Sequence, residues 1–294
     1  MSRQPALARR FFDRFEPIHA VTYFAPEARQ ALDSLGFRGF WMGYFAARSA
    51  PLGDVPIEVV TATFYNFAAR RVAGALPAAW DYATPAQALL ARSGSAAAAL
   101  RRYGFDDENV CTAADLAARA ARSAPLDGRP LFAANSALAW PEDPVDKLWH
   151  ATTLLREHRG DGHVAVLTAA GLSGRDANVL HSAAGGVSAE FIRRSRDYDD
   201  DEWRTCCQRL VARGFLDSDG VLTDSGRRFK SDIEASTDEL ALSALAGLDD
   251  GEVELLFATL TPLARTVIAG GDLPESTPMG MRRDELDDNS AHLT

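Results

Sequence analysis

The chain has 294 residues, 47% of them apolar, and carries 41 acidic against 31 basic side chains for a net charge of −10. That length accommodates two domains or one large one, and the apolar share excludes a wholly disordered chain. The acid surplus excludes a non-specific nucleic-acid binder, which needs excess cations to release condensed counterions, and it excludes a polybasic membrane anchor.

Residues 5–16 read as a first helix closed by Pro17, with Phe11, Phe12 and Phe15 on its buried side. The arginines at 3, 9, 10 and 14 suit that amphipathic helix better than a transit peptide, and the start lacks the apolar run of a secretory signal. Pro26 opens a second helix with Gly36 as its C-cap. FRGFWMGYFAARSAPLG sets Phe37, Phe40, Trp41, Tyr44 and Phe45 at helical spacing and stops at Pro51 and Gly53. Pro56 opens a long helix, IEVVTATFYNFAARRVAGAL, and Pro77 and Pro85 punctuate helical pieces at 78–82 and 86–103. Thr112 caps a last N-terminal helix over 113–122. Residues 1–122 are thus expected to form a helical domain without strands.

Residues 123–144 hold Pro125, Pro130, Pro141 and Pro144 and read as a linker, packed down by Leu131, Phe132, Leu138 and Trp140. A C-terminal domain over 145–270 follows, with helices near 145–158, 161–170, 174–184, 187–195, 201–213, 225–245 and 250–269. Residues 271–294 are polar and proline-containing and read as a disordered tail. No stretch is apolar and long enough to span a membrane, so the expected compartment is the cytoplasm. Cys111, Cys206 and Cys207 form neither a disulfide framework nor a CxxC metal knuckle, and the adjacent pair reads as buried thiols.

The most organised local pattern is DDDEWRTCCQRLVARGFLDSDGVLTDSG. Trp203, Cys206, Cys207, Leu210 and Val211 make an apolar helix face, and Gly214 stops that helix. Phe215–Leu216 and Val221–Leu222 read as two short strands around the turn Asp217–Gly220, and Thr223 caps the next helix. The fold expected is therefore mostly α, a helical N-terminal domain plus a winged-helix-like domain with a short two-stranded wing. RLVARGFLDSDGVLTDSG resembles the MarR-type winged helix. Together with LWHATTLLREHRGDGHVAVLTAAGL, YFAARSAPLG and EASTDELA, it resembles a family of actinobacterial helix-turn-helix proteins over roughly residues 15–270.

The resemblance implies that the helix before the wing faces DNA. Here that helix starts at Asp199, Asp200, Asp201 and Glu202, four carboxylates that repel phosphate, and the wing tip DSDG lacks an arginine. Seven bases and eight acids lie between Arg196 and Lys230. Ordinary DNA reading is disfavoured on charge; if it occurs, Arg193, Arg194, Arg204, Arg209, Arg227 and Arg228 would carry it.

Two segments concentrate other chemistry. HRGDGH holds His158, Arg159, Asp161 and His163, with His150 two turns upstream. These side chains suit acid–base, ligand-orienting or metal chemistry, or a purely structural polar network. Neither HxxxH nor HExxH spacing occurs, so no metal site is assigned. His19 and His181 read as core histidines. The aromatic run offers a flat wall, with Arg48 as an anchor for an anionic group, or simply a core.

The leading expectation is a small, partly aromatic or apolar ligand lined by Trp41, Tyr44, Arg48, His150, His158, Asp161 and His163, in a sensor or sequestering role. The alternatives are an enzyme using the His/Asp cluster and a ligand-responsive DNA-binding regulator. No motif names a cofactor, no membrane partner is expected, and a homodimer stays open.

Overall fold

The computed structural model describes residues 3–275 and 277–293. Among them are fourteen α-helices: α1 Pro5–Phe24, α2 Pro26–Ser34, α3 Gly39–Ser49, α4 Ile57–Thr63, α5 Ala69–Ala75, α6 Pro85–Arg102, α7 Glu108–Ser123, α8 Pro130–Ser136, α9 Pro144–Ala169, α10 Gly174–Ala183, α11 Ala189–Arg196, α12 Asp200–Ala212, α13 Asp224–Leu242 and α14 Asp250–Ala269.

Pro5 at the first turn starts α1, where a missing N–H costs nothing. The helix does not close at Pro17 but runs through it to Phe24. Phe15, Ile18, Ala20 and Val21 are all buried on either side of the proline, and that packing outweighs the lost backbone bond, about 3 kcal/mol. The helix expected over 57–76 instead breaks into α4 and α5, because the intervening turn sends Phe64 and Phe67 into one apolar cluster. Asp107, not Thr112, caps α7, its side chain accepting the Val110 N–H. The proline-rich stretch contains α8.

The two pieces expected at 145–158 and 161–170 are one helix of 26 residues, α9. Gly160 and Gly162 do not break it. A Cβ at Gly162 would meet Leu240 of α13 at 3.6 Å, an ordinary van der Waals contact, which places this position on the α9–α13 interface.

Three apolar clusters organise the molecule. The first joins α1, α6, α7, the front of α9 and α14, and so crosses the boundary expected at 123–144. The second gathers Phe37, Phe45, Val60, Phe64, Phe67, Val72 and Leu131. The third joins Leu167 at the end of α9 to Val179, Leu180, Cys206, Leu210, Leu216, Leu222 and Ile233. Residues 277–293 lie along α1 and α14, with Leu286 and Ala291 buried and Arg282 paired to Asp13 at 2.9 Å.

The two-stranded wing is absent. Among the described residues there is no strand, only an isolated bridge between Leu216 and Leu222. The Asp217 carboxylate accepts the N–H groups of Asp219 and Val221, each at 2.9 Å, and the pairing stops at the two backbone bonds Asp217 to Val221 and Thr223 to Phe215 that flank the bridge. Thr223 starts α13 at once, its hydroxyl accepting the Gly226 N–H at 3.0 Å. A Cβ at Gly226 would lie 2.1 Å from the Phe215 carbonyl oxygen, so the turn closes directly onto α13. The fold is all-helical with a tight turn in the wing position.

Candidate ligand-binding site

Where α1, α3, α6 and α9 meet, charged side chains are buried together. Glu157 of α9 takes the Arg48 guanidinium as a fork, Nε to Oε1 at 2.9 Å and Nη2 to Oε2 at 2.8 Å. Arg156 donates to the same Oε2 at 2.8 Å. Burial alone would raise the Glu157 pKa, but the Arg156 and Arg48 charges hold it well below the usual carboxylate range. Arg48 also donates to the Tyr44 hydroxyl at 3.2 Å, and the Tyr44 and Tyr23 rings lie 5.4 Å apart.

Glu16 of α1 is the exception among these groups. It is 0% exposed, and neither carboxylate oxygen has a hydrogen-bond partner. Arg156 Nε approaches to 3.9 Å. Burial pushes the carboxyl up to about 7, against the opposing pull of Arg156. One turn on, His19 shares hydrogen bonds with Thr153 Oγ1 and the Tyr23 hydroxyl, both at 3.0 Å. Its burial holds the ring neutral, well below the usual histidine pKa. Arg92 of α6, 3% exposed, stands over Trp149 at 5.3 Å with Nη2 unpartnered. From the opposite side Arg196, the last residue of α11, lies over Phe67 at 4.3 Å with a buried, unpartnered Nε.

Tyr23, Tyr44, Arg156, Arg196 and Trp41 are only half-buried and form the solvent-facing edge of this otherwise buried centre. Its walls are aromatic, with Trp41, Tyr44 and Phe67 each within 5.6 Å of the others. The arginines at 48, 92, 156 and 196 set four positive charges against the two carboxylates of Glu16 and Glu157. Such a place can hold a polar molecule whose acceptor meets a guanidinium and whose donor meets Glu16.

Of the residues singled out in the sequence, Trp41, Tyr44 and Arg48 lie together here. The other four spread around α9. His150 packs edge-on against Trp140 at 4.7 Å, its Nε2 is unpartnered, and burial lowers it to about 4. His158 meets Phe132 at 5.0 Å and Ser243 Oγ at 3.4 Å, and burial lowers it to about 3. Asp161 accepts the Phe132 N–H at 2.8 Å and so caps α8, whose own N-cap residue offers no side-chain bond; burial raises it to about 6. His163 bonds Thr237 of α13 at 2.9 Å, and burial lowers it to about 4.

Glu16, Tyr23, Arg92, Arg156, Glu157 and Arg196 escaped the sequence reading. One signal was there: Glu16 and Glu157 are acids on helix faces otherwise lined by buried side chains. Among the described residues, no group of three or more His, Cys, Asp or Glu is placed to hold a metal ion. Among the same residues, no helix is long and apolar enough to cross a membrane.

The third cluster carries α11 and α12, joined by residues 197–199 with Asp197 left-handed at φ 59°, and both helices rest on α10. A turn of three residues between two helices fits the connection length of a helix-turn-helix. Its acidic residues are engaged within the chain. Arg70 of α5 bonds Asp197 at 2.7 Å and Glu202 at 3.2 Å, and Arg175 bonds Glu202 at 2.6 Å. Most arginines considered for DNA are engaged as well: Arg193 with Asp200, Arg204 with Asp201 at 2.6 Å, Arg209 with Asp176 at 2.7 Å and Arg227 with Asp224. Arg194 and Arg228 are exposed, and among the described residues neither forms an ion pair. A side chain at Gly174 would meet the Tyr65 carbonyl oxygen at 2.0 Å, so α10 sits directly on the turn between α4 and α5.

No curated protein and no solved structure matches the chain. Residues 8–274 match the pattern of a helix-turn-helix family, from the first cluster through the three-residue turn to the end of α14. The chain belongs to this helix-turn-helix family.

Proposed function

We propose that the protein binds a small, partly aromatic, polar ligand in the cleft between α1, α3, α9 and α11, as a sensor or a sequestering protein. One observation carries this reading: the buried Glu16 carboxylate with two unpartnered oxygens. A buried carboxyl without a hydrogen-bond partner costs free energy whether protonated or ionised, and proteins rarely leave such a group orphaned. A hydroxyl, amine or amide of a ligand meets that need, and the Trp41, Tyr44 and Phe67 rings suit a flat body.

The test is a thermal-shift screen of small aromatic phenols, amines, amides and carboxylates against the whole chain. At about a hundredfold excess over Kd a ligand adds about 2.7 kcal/mol, which raises Tm by roughly 4–5 °C for a chain of this size. That rise in the wild type, lost in Tyr44→Ala, is expected. A screen in which no compound moves Tm contradicts the reading.

A second reading, a DNA-binding regulator, is favoured by the family and by the outward face of α12, which presents Arg204, Thr205 and Gln208. It predicts that a duplex probe shifts on a gel with steep salt dependence; no shift at low salt removes it.

A further inference from the structure

We infer that Arg196 is the anion-binding arm of this cleft, so that the ligand's acidic group, a carboxylate on an aromatic ring, is held by the helix-turn-helix unit itself. The inference rests on the ligand reading above and adds both the ligand's charge and the element that grips it.

Among the described residues the Arg196 side chain makes no ion pair and no hydrogen bond, and its Nε is buried without a partner. The charged and phenolic groups facing it are Tyr44, Arg48, Tyr198 and Arg71. Arg48 is already committed to Glu157 as a bidentate pair, and Arg71 stands 3.8 Å from Asp197. A guanidinium among other guanidiniums, with no carboxylate of its own, is an ion pair lacking its anion. Its guanidinium lies over the Phe67 ring at 4.3 Å, and its donor fork matches the two oxygens of a carboxylate. The rings of Trp41, Tyr44 and Phe67 lie beside it for the aromatic body.

The backbone makes this arm a reporter. The Arg196 carbonyl accepts from Arg175 at 2.6 Å, and the next residue, Asp197, is the left-handed residue of the turn into α12. An anion that draws the Arg196 side chain acts one residue from that turn.

The test compares wild type, Arg196→Met, which keeps an apolar stem on Phe67 without charge, and Arg228→Met, an exposed control. Without ligand, removing an uncompensated cation leaves Tm unchanged or raises it; a fall of several degrees makes Arg196 a structural strut and overturns the inference. Benzoate, exchanged for chloride at constant ionic strength, is expected to raise Tm of the wild type and Arg228→Met and at least tenfold less effectively that of Arg196→Met. Equal stabilisation of all three, or of none, overturns it. Equal stabilisation leaves the ligand cleft standing and removes Arg196 from it, whereas silence from every neutral and acidic compound screened removes the cleft as well.

Discussion

Glu16 sits between Phe15 and Pro17 on a helix whose neighbouring side chains are all buried, so folding removes it from water without supplying an anion's usual partners. Its pKa in the fold, about 7, lies above the ordinary 4.5, so the folded chain keeps a proton that the unfolded chain releases. The sign follows: its contribution to stability is full below about pH 4.5 and is lost as pH rises through about 7. Glu16→Gln abolishes that loss. The Tm difference between variant and wild type should widen from about pH 5 to about pH 8 and then level off, and a gap independent of pH contradicts a raised Glu16 pKa. At this scale the sequence was half legible. Tyr44 and Arg48 announced themselves as an arginine beside aromatics one turn apart. Their partner Glu157 did not, because HRGDGH drew attention to the side chains that follow it. Which of those side chains face α3 depends on the phase of α9, and that phase follows from packing against α7, α8 and α13.

Helix starts were the most legible elements, because proline and capping residues act locally. Pro26 and Gly36 bound α2 as their backbone preferences require, and Pro85 opens α6. Interruptions were less legible. Pro17 and the step at 159–160 read as breaks, yet each lies inside a helix whose flanks are packed, and long-range burial overrides the local penalty. The wing misled for a related reason: its apolar pairs bracket a turn as strands would, but the pairing stops at one bridge while Asp217 takes the Asp219 and Val221 N–H groups.

The acidic start of α12 acquires a cause from its neighbours. Asp197 and Glu202 receive Arg70 of α5, and Arg71 of the same helix donates to the Arg194 carbonyl at 3.1 Å. Arg70→Ala combined with Arg71→Ala should cost no more than about 1–2 kcal/mol globally, since exposed pairs are worth about 0.2–1 kcal/mol each. Amide hydrogen exchange at residues 197–203 should nevertheless accelerate about tenfold, with α14 unchanged. Unaltered exchange there would show that these arginines do not hold the turn.

Across the whole molecule α9 is the shared spine. Over its 26 residues it runs about 39 Å, from the first apolar cluster, past the charged centre, to the third cluster that carries the helix-turn-helix. This helix lies on the C-terminal side of the stretch expected as a linker at 123–144, and the first apolar cluster packs helices from both sides of that stretch together. This joining was the least legible feature in the sequence: it depends on contacts between residues more than a hundred positions apart, such as Arg48 with Glu157 and Tyr65 with the Leu172 carbonyl. Aromatic and charged side chains gather where α1, α3 and α9 approach the end of α11, the place proposed for the ligand. Native mass spectrometry of the whole chain with the compound giving the largest thermal shift tests that proposal most directly. One molecule is expected to bind per chain, retained in Arg228→Met and lost in Tyr44→Ala; no adduct, or an adduct indifferent to Tyr44→Ala, contradicts a ligand site there.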